Sequence, residues 1–440
     1  MRKPPSATGL VRRLGPLDAA AVVISNVIGG GIFFVPVIVA QLVPNPTAML
    51  GVWLLGGALA FAGAMAYAEL AAVRPHAGGE YVYLRDAFGP LAAFLSGWTS
   101  FIAGFSGAIA ASAVALAEYV ARFVPAADRY RSLVAIAAIV ALTLIHVRGL
   151  GPGRVVQNLL AGLKVTAIVL IIALGFTLGH GDAANLTAGG SVATVPWLLA
   201  LVPVMFSYSG WNAAAYVAEE VRNPGRNVPL ALGLGTLAVV VLYLALNALY
   251  VYALPVASIA GLGDGRLMDI VAERLFGFAA GNLLAIFTIV SLAASISAMT
   301  LAGPRVYFAM ARDGIFVRAA GRVHPRFHTP AAAIVAQAAW SSVLVASGTL
   351  SQLVAYTGFA VVLFAAIAVC ALFVLRRRDG AIARPFSAIG YPWAPAIFVG
   401  ASAVIVANAF WTAPWTTLAG IALILAGVPV YYAFRRAPRV

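Results

Sequence analysis

Twelve stretches of the chain are apolar over a length that fits a bilayer: 17–41, 47–73, 90–121, 132–148, 155–178, 194–220, 228–253, 280–311, 330–347, 351–375, 391–411 and 416–434. About 20 consecutive apolar residues cover the hydrocarbon core as a helix. A backbone inside hydrocarbon must satisfy its own hydrogen bonds, so only helices and closed barrels cross it. These stretches are too long, and too often punctuated by Gly, Pro and Asn, to be the short alternating strands of a barrel. With 62% hydrophobic and 10% charged residues, the chain also lacks the polar surface that a water-soluble fold of this size requires. The expected class is an all-α integral membrane protein of twelve transmembrane helices, with the lipid bilayer as its first partner.

The net charge of +14 follows from topology rather than from nucleic-acid binding. With the N-terminus inside, inner segments carry 22 basic residues, among them Arg2, Lys3, Arg12, Arg13, the Arg376–Arg378 run and Arg439. Outer segments carry five: Arg122, Arg129, Arg131, Arg266 and Arg274. The positive-inside rule then places both termini in the cytoplasm. The Arg376–Arg378 run reads as a topology anchor. The single cysteine, Cys370, excludes a disulfide within the chain and any cysteine-based metal site. No cleavable signal peptide is expected, because the first apolar segment is too long for one. Connections are short, so one integral domain is expected. Its longest outer link, near 254–279, holds Pro255, Gly261, Gly263, Asp264 and Gly265.

Two of the stretches are interrupted. Gly29-Gly30-Gly31 sits in the middle of the first, where three consecutive glycines weaken a helix. Small residues for close helix packing recur at every third or fourth position, and a triplet does not. Irregular backbone is tolerated at membrane depth only where it faces protein or a water-filled cavity. The helix restarting at Ile32 would present free N–H groups and a positive dipole end to a carboxylate. The half-helix before it would end in carbonyls around Ile24–Val27 that suit an ammonium. Together they would read the zwitterionic end of an amino acid. The second interruption is Ser207-Tyr208-Ser209-Gly210 in the sixth stretch, preceded by Pro203 and followed by Trp211 and Asn212. It would supply further carbonyls, with Phe206 or Trp211 covering the ligand. Paired breaks in two halves mark a transporter site. Five spans per half is an odd number, so related halves must lie inverted. The expected units are residues 1–178 and 194–375, with 391–434 adding two helices.

Lys164 lies ten residues past Arg154, roughly 15 Å along a helix, and about half the hydrocarbon thickness is too deep for easy snorkelling. The chain has 26 arginines and two lysines, so a lysine here points to a compact ammonium that a guanidinium cannot replace. A structural lysine tied to carbonyls remains open beside that reading. Glu69 and Glu118 read as snorkelling residues near span ends, and His146 as interfacial. Ser291, Ser295 and Ser297 form a polar row whose hydroxyls bond back to their own helix on the simplest reading. No Walker loop, metal-spaced histidines or nucleophile elbow is present, so neither a cofactor, a metal nor an enzyme activity is expected.

Four motifs in order resemble the amino acid–polyamine–organocation superfamily, specifically the L-type and related bacterial amino-acid permeases. Gly29-Gly30-Gly31-Ile32-Phe33 resembles its glycine-serine-glycine motif. Ala68-Glu69-Leu70 through Pro75-His76-Ala77-Gly78-Gly79-Glu80-Tyr81-Val82-Tyr83-Leu84 resembles its signature after span 2. Phe206–Asn212 with Ala218–Pro224 resembles its span-6 segment, and Arg305–Gly314 the end of its span 8. The resemblance covers essentially the whole chain. It implies an inverted five-plus-five bundle of the LeuT-like type, with helices 1 and 6 broken. It further implies that the amides of Gly30 and Gly31, beside Gly29, hold a substrate carboxylate, and that the carbonyls of Val27, Phe206 and Ser209 hold its amine. Phe206 would be the gate, joined by Trp211, and Asn212 a polar contact beneath. Lys164 would replace a second sodium ion and bond span 1 near Gly29 and span 8 near Ser295. Two positions depart from the motif: Gly30 stands for its serine, and Ser209 for a glycine.

The expected activity is sodium-independent transport of small or medium neutral L-amino acids, by exchange or proton symport, in a bacterial inner membrane. A cationic amino-acid or polyamine transporter of the same fold, and a non-transporting amino-acid sensor, remain open. Animal L-type transporters join a partner subunit through a cysteine after span 3. The stretch from Arg122 to Arg131 has none, so no disulfide-linked partner is expected.

Overall fold

The computed structural model describes residues 9–187, 193–262, 267–277, 280–348 and 350–436, with the backbone alone for 350–359 and 436. Arg2, Lys3, Gly263, Asp264, Gly265, Arg266 and Arg439 lie outside the described residues. Among those described, every regular element is helical, and the only bridge of β type joins Leu14 to Val221.

Nine described helices are long and apolar enough to cross a membrane, from Pro46–Val73 to Pro414–Arg435. Pro16–Val27 and Gly31–Leu42 meet at 48° and together make a tenth span. The bend falls on the glycine triplet. Two shorter apolar helices, Thr194–Ser207 and Ala331–Ser347, occupy the sixth and ninth predicted stretches. In the sixth, helix Leu201–Ser207 gives way to a turn and then to Ala213–Tyr216. Both interruptions read in the sequence are therefore breaks in helices.

The two halves of the first span have different neighbours. Pro16–Val27 packs on Leu150–Thr177, Pro224–Ala253 and Ala280–Ala302. Gly31–Leu42 packs on Leu201–Ser207 and on the short helices Val256–Ala260 and Leu267–Phe276. The half-helices can thus move with different partners. Around them, Pro46–Val73 lies along Pro224–Ala253, and Phe105–Ala121 along Ala280–Ala302.

One end of the bundle is tied by ion pairs. Arg305 meets Glu220 in a fully buried bidentate pair at 2.9 and 3.0 Å. Arg312 lies 3.6 Å from Glu219, and Arg154 3.6 Å from Asp18. The backbone amides of Arg13 and Leu14 donate to the Glu220 carbonyl at 2.9 and 3.0 Å. Glu69 is not a snorkelling residue: it is 1% exposed and takes bonds from Arg376, from Arg384 at 3.1 Å and from the Ala388 amide at 2.7 Å. A carboxylate this buried needs such partners. Arg376 is correspondingly a partner of Glu69 and not merely a topology anchor. His146 is likewise not interfacial. It is 2% exposed and its ring nitrogen lies 2.8 Å from Ser297 Oγ, so Ser297 pairs with another helix instead of its own.

Candidate functional site

The two breaks meet. A side chain at Gly31 would sit 3.0 Å from Ser207 Oγ and 3.1 Å from Ser207 Cα. Gly210 has φ +102°, and a Cβ there would lie 3.0 Å from the carbonyl carbon and oxygen of Asn26. Only glycine combines that backbone conformation with that approach. Each break is therefore seated on the other, a relation that the sequence could indicate only by the presence of two breaks.

Above this junction lies a cavity of about 670 Å³. Its floor holds Val27, Gly29, Gly30, Gly31, Phe206 and Ser209. Lys164's partner Ser295 also reaches it, as do Asn26 and Met299. One wall is a face of small residues along the third span: Gly104, Ala108, Ala111, Ser112 and Ala115. That wall begins at a π-helical turn, Ser100–Gly104, a geometry that often marks a functional site in a helix. The mouth carries Glu118, Tyr119, Arg122 and Asp269. Arg122 lies 3.5 Å from Asp269 and donates to Asn282 at 3.1 Å. Glu118 is thus a mouth residue, 3.8 Å from Arg131. The mouth is at the end of the bundle opposite the buried Arg305–Glu220 pair.

Among the described residues, the amides of Gly30 and Gly31 donate no hydrogen bond within the protein. They are the orphan donors of a helix start, at its positive dipole end. The carbonyl of Ser209 accepts none among the described residues, whereas that of Phe206 already accepts from the Ser209 amide at 3.0 Å. The Phe206 side chain is 39% exposed, on the cavity.

The other helix end is capped by side chains. Lys164, fully buried, donates to the carbonyls of Ile28 and, at 3.4 Å, Ser25, and to Ser295 Oγ at 3.0 Å. Three acceptors match the three donors of an ammonium. A positive charge there also suits the negative end of the Pro16–Val27 dipole. Ser295 in turn lies 3.1 Å from both Ile28 O and Ser291 O, so its hydroxyl bridges two helices and is not confined to its own. Ser291 Oγ has no partner among the described residues.

Sequence reasoning missed Tyr243. Its hydroxyl lies 2.9 Å from Val27 O and 3.2 Å from Ser207 O, one carbonyl from each break. A tyrosine in the middle of an apolar helix was the available signal, because a buried phenol needs a partner. Val27 O also accepts from the Gly29 amide at 2.8 Å, so the carbonyl that depends on Tyr243 is that of Ser207. Tyr243→Phe strands a buried carbonyl, which costs about 1–3 kcal/mol. Such a variant is expected to melt several degrees lower in detergent; an unchanged melting curve would remove Tyr243 as the tie between the breaks.

Two predicted residues are not in this cavity. Trp211 is 4% exposed, with its ring centroid 4.9 Å from Tyr67 and 5.5 Å from Phe398. A ring wedged there cannot cover a ligand at the breaks, which corrects the reading of Trp211 as a gate. Asn212 donates to the Tyr216 hydroxyl at 3.1 Å and faces the same side cluster, which corrects its reading as a ligand contact. The sharp turn at Gly210 sends the chain behind the floor, so both residues point away from it.

A family model described as "Amino acid permease" matches residues 14–433. The serine/threonine exchanger SteT of Bacillus subtilis is 30% identical over 97% of this chain and 98% of its own length. The b(0,+)-type amino acid transporter 1 of Oryctolagus cuniculus is 27% identical over 98% and 89%. The Asc-type amino acid transporter 1 of Mus musculus is 27% identical over 96% and 81%. With a match over nearly its whole length, two helices broken at glycine-bearing turns and a cavity where the breaks meet, the chain belongs to the amino acid permease family.

Proposed function

We propose that this permease carries small or medium neutral L-amino acids without sodium, by alternating access, as an exchanger or a proton symporter. The observation that carries the reading is the cavity floor, where free amides of Gly30 and Gly31 lie in the same site as the carbonyls of Ser209 and Val27. Those amides suit a carboxylate, and those carbonyls an ammonium. The two charged ends of an amino acid fit such a pair. Phe206 is the gate in this reading, and Ser209 and Gly29 complete the floor. Among the described residues, the acidic groups at the mouth, Glu118 and Asp269, face Arg131 and Arg122, which argues against selection of a cationic side chain. The Bacillus relative is named for serine and threonine, which fits that size class.

Sodium independence rests on Lys164, whose ammonium already fills the junction of the first, fifth and eighth spans. Ser295 is its coupling partner. Further parts of the reading are twelve spans, as units 1–178 and 194–375 plus 391–434, cytoplasmic termini and a bacterial inner membrane. A chain with its one cysteine at Cys370 has no means of joining a partner subunit by a disulfide after span 3.

The test is uptake of radiolabelled L-alanine, L-serine and L-leucine into sodium-free proteoliposomes, empty or preloaded with unlabelled amino acid. Uptake under either condition is expected. Uptake only with added sodium would overturn sodium independence, and binding without flux would make the chain a sensor.

A further inference from the structure

Behind the floor lies a carboxylate that the transport reading does not use. Glu80 opens the helix Glu80–Phe88 between the second and third spans. It is half-buried. Tyr67 donates to it at 3.0 Å and Ser96 at 2.9 Å. The Tyr216 hydroxyl also faces it, and since Asn212 donates to that hydroxyl at 3.1 Å, the Tyr216 proton is left to point at the carboxylate. These donors come from three separate parts of the fold: the Pro46–Val73 helix, the Pro90–Thr99 helix and the short Ala213–Tyr216 helix just past the second break.

No cation joins them among the described residues. The charged groups on the surrounding elements are committed to one another. Arg74 binds Asp86 and Asp379. Arg85 binds Asp86 and Asp313, and Asp313 also accepts from Tyr81. Arg305 pairs with Glu220, Arg312 with Glu219, and Arg376 and Arg384 with Glu69. Arg378 pairs with Asp379, and Arg377 and His76 are exposed. Tyr307 donates to Ser100 O, and Tyr83 OH has no hydrogen-bond partner among the described residues. A carboxylate held by hydroxyls alone has donors but no countercharge. Withdrawal from water pushes its carboxyl up, and the hydroxyl donors pull it back.

We propose that Glu80 is the proton-binding site that couples this permease to the proton gradient, an inference that rests on the transport reading above. The charged form needs donors and the neutral form does not. Tyr216 follows the second break directly, so rearrangement of that break during alternation withdraws one donor from Glu80. The carboxylate then takes up a proton from water. When Tyr216 returns, the proton is released. Proton affinity thereby differs between the two states, which is the requirement for coupling. Lys164 is the weaker candidate, because its three donors are already matched by three acceptors.

The experiment uses the full chain in sodium-free proteoliposomes with an internal pH dye, with radiolabelled L-alanine, L-serine and L-leucine as probes. In the wild type, uptake into empty vesicles is expected to rise several-fold under an inward proton gradient and to acidify the lumen. Glu80→Gln is expected to lose both effects while still exchanging amino acid in preloaded vesicles. Tyr216→Phe removes one donor, so its uptake midpoint is expected to move upward by about one pH unit. If Glu80→Gln does not reach the membrane, the Tyr216→Phe midpoint decides: an upward shift supports the site and an unchanged one overturns it. Wild-type exchange without proton movement, or a Glu80→Gln pH profile equal to that of the wild type, overturns the proton site and leaves the transport reading intact. No flux of any of the three amino acids removes the transport reading, and the proton site with it.

Discussion

Gly30→Leu is expected to abolish amino-acid uptake while leaving the protein folded. Gly30 has φ −67° and ψ −26°, an ordinary helical conformation, and the nearest atom to an added Cβ is Phe34 Cε1 at 3.9 Å. A leucine is therefore accepted by the backbone and by its neighbours. Its side chain fills space directly over the free amides of Gly30 and Gly31. A charge-assisted hydrogen bond contributes about 1.5–3 kcal/mol, so loss of two lowers affinity by about 100-fold or more. Replacing glycine in a helical conformation also removes unfolded-state entropy, so thermal stability is expected to hold or rise slightly. Gly31→Leu is the contrasting variant. Its Cβ would press on the Ser207 backbone, so it should lose stability as well as uptake. Measured side by side, uptake and melting separate ligand exclusion from damage to the fold. Wild-type uptake by Gly30→Leu would sink the assignment of the carboxylate to these amides.

The breaks were legible because their cause is local. Three glycines in a row, or Ser207–Gly210 after Pro203, weaken a helix through their own backbone preferences, whatever surrounds them. Their meeting was only implied, since the Gly31–Ser207 and Gly210–Asn26 contacts depend on the packing of distant spans. Lys164 stood out for a similar reason, as a charge deep in an apolar run. Its partner Ser295 was reachable only through family resemblance, because nothing local distinguishes Ser295 from Ser291 or Ser297. The errors share one physical source. Distance from the end of an apolar run locates Glu69 and His146 along their helices but not around them. Both face neighbouring helices, where Arg376 and Ser297 complete them. Trp211 and Asn212 were misread because direction after a turn is set by the turn. Gly210 in the left-handed region reverses the path, and no periodicity carries across it. Tyr243 lies in an intact helix, so nothing local marks it as the tie between the breaks.

Lys164→Ala is expected to reduce transport by more than tenfold and stability by much less. The half-helix Pro16–Val27 ends without helical partners for its last carbonyls, and Lys164 supplies them to Ser25 and Ile28. Alanine removes a cap and leaves a void. Ser295 still reaches Ile28 O at 3.1 Å, so only the Ser25 carbonyl is left without that donor. One stranded buried carbonyl costs about 1–3 kcal/mol, a loss that a bundle of this size survives. Transport depends on more than the cap. The ammonium joins the first span to the fifth and eighth, and with Tyr243 and Ser295 it fixes the position of the half-helix ending at the ligand floor. A floor displaced by about 1 Å loses much of its fit. Lys164→Arg should not rescue, since a planar guanidinium does not fit three acceptors arranged around a compact head. Comparable melting with greatly reduced uptake would place Lys164 in the transport cycle. Equal losses of uptake and folded protein would make it a structural cap alone, and normal uptake by Lys164→Ala would remove it from both roles.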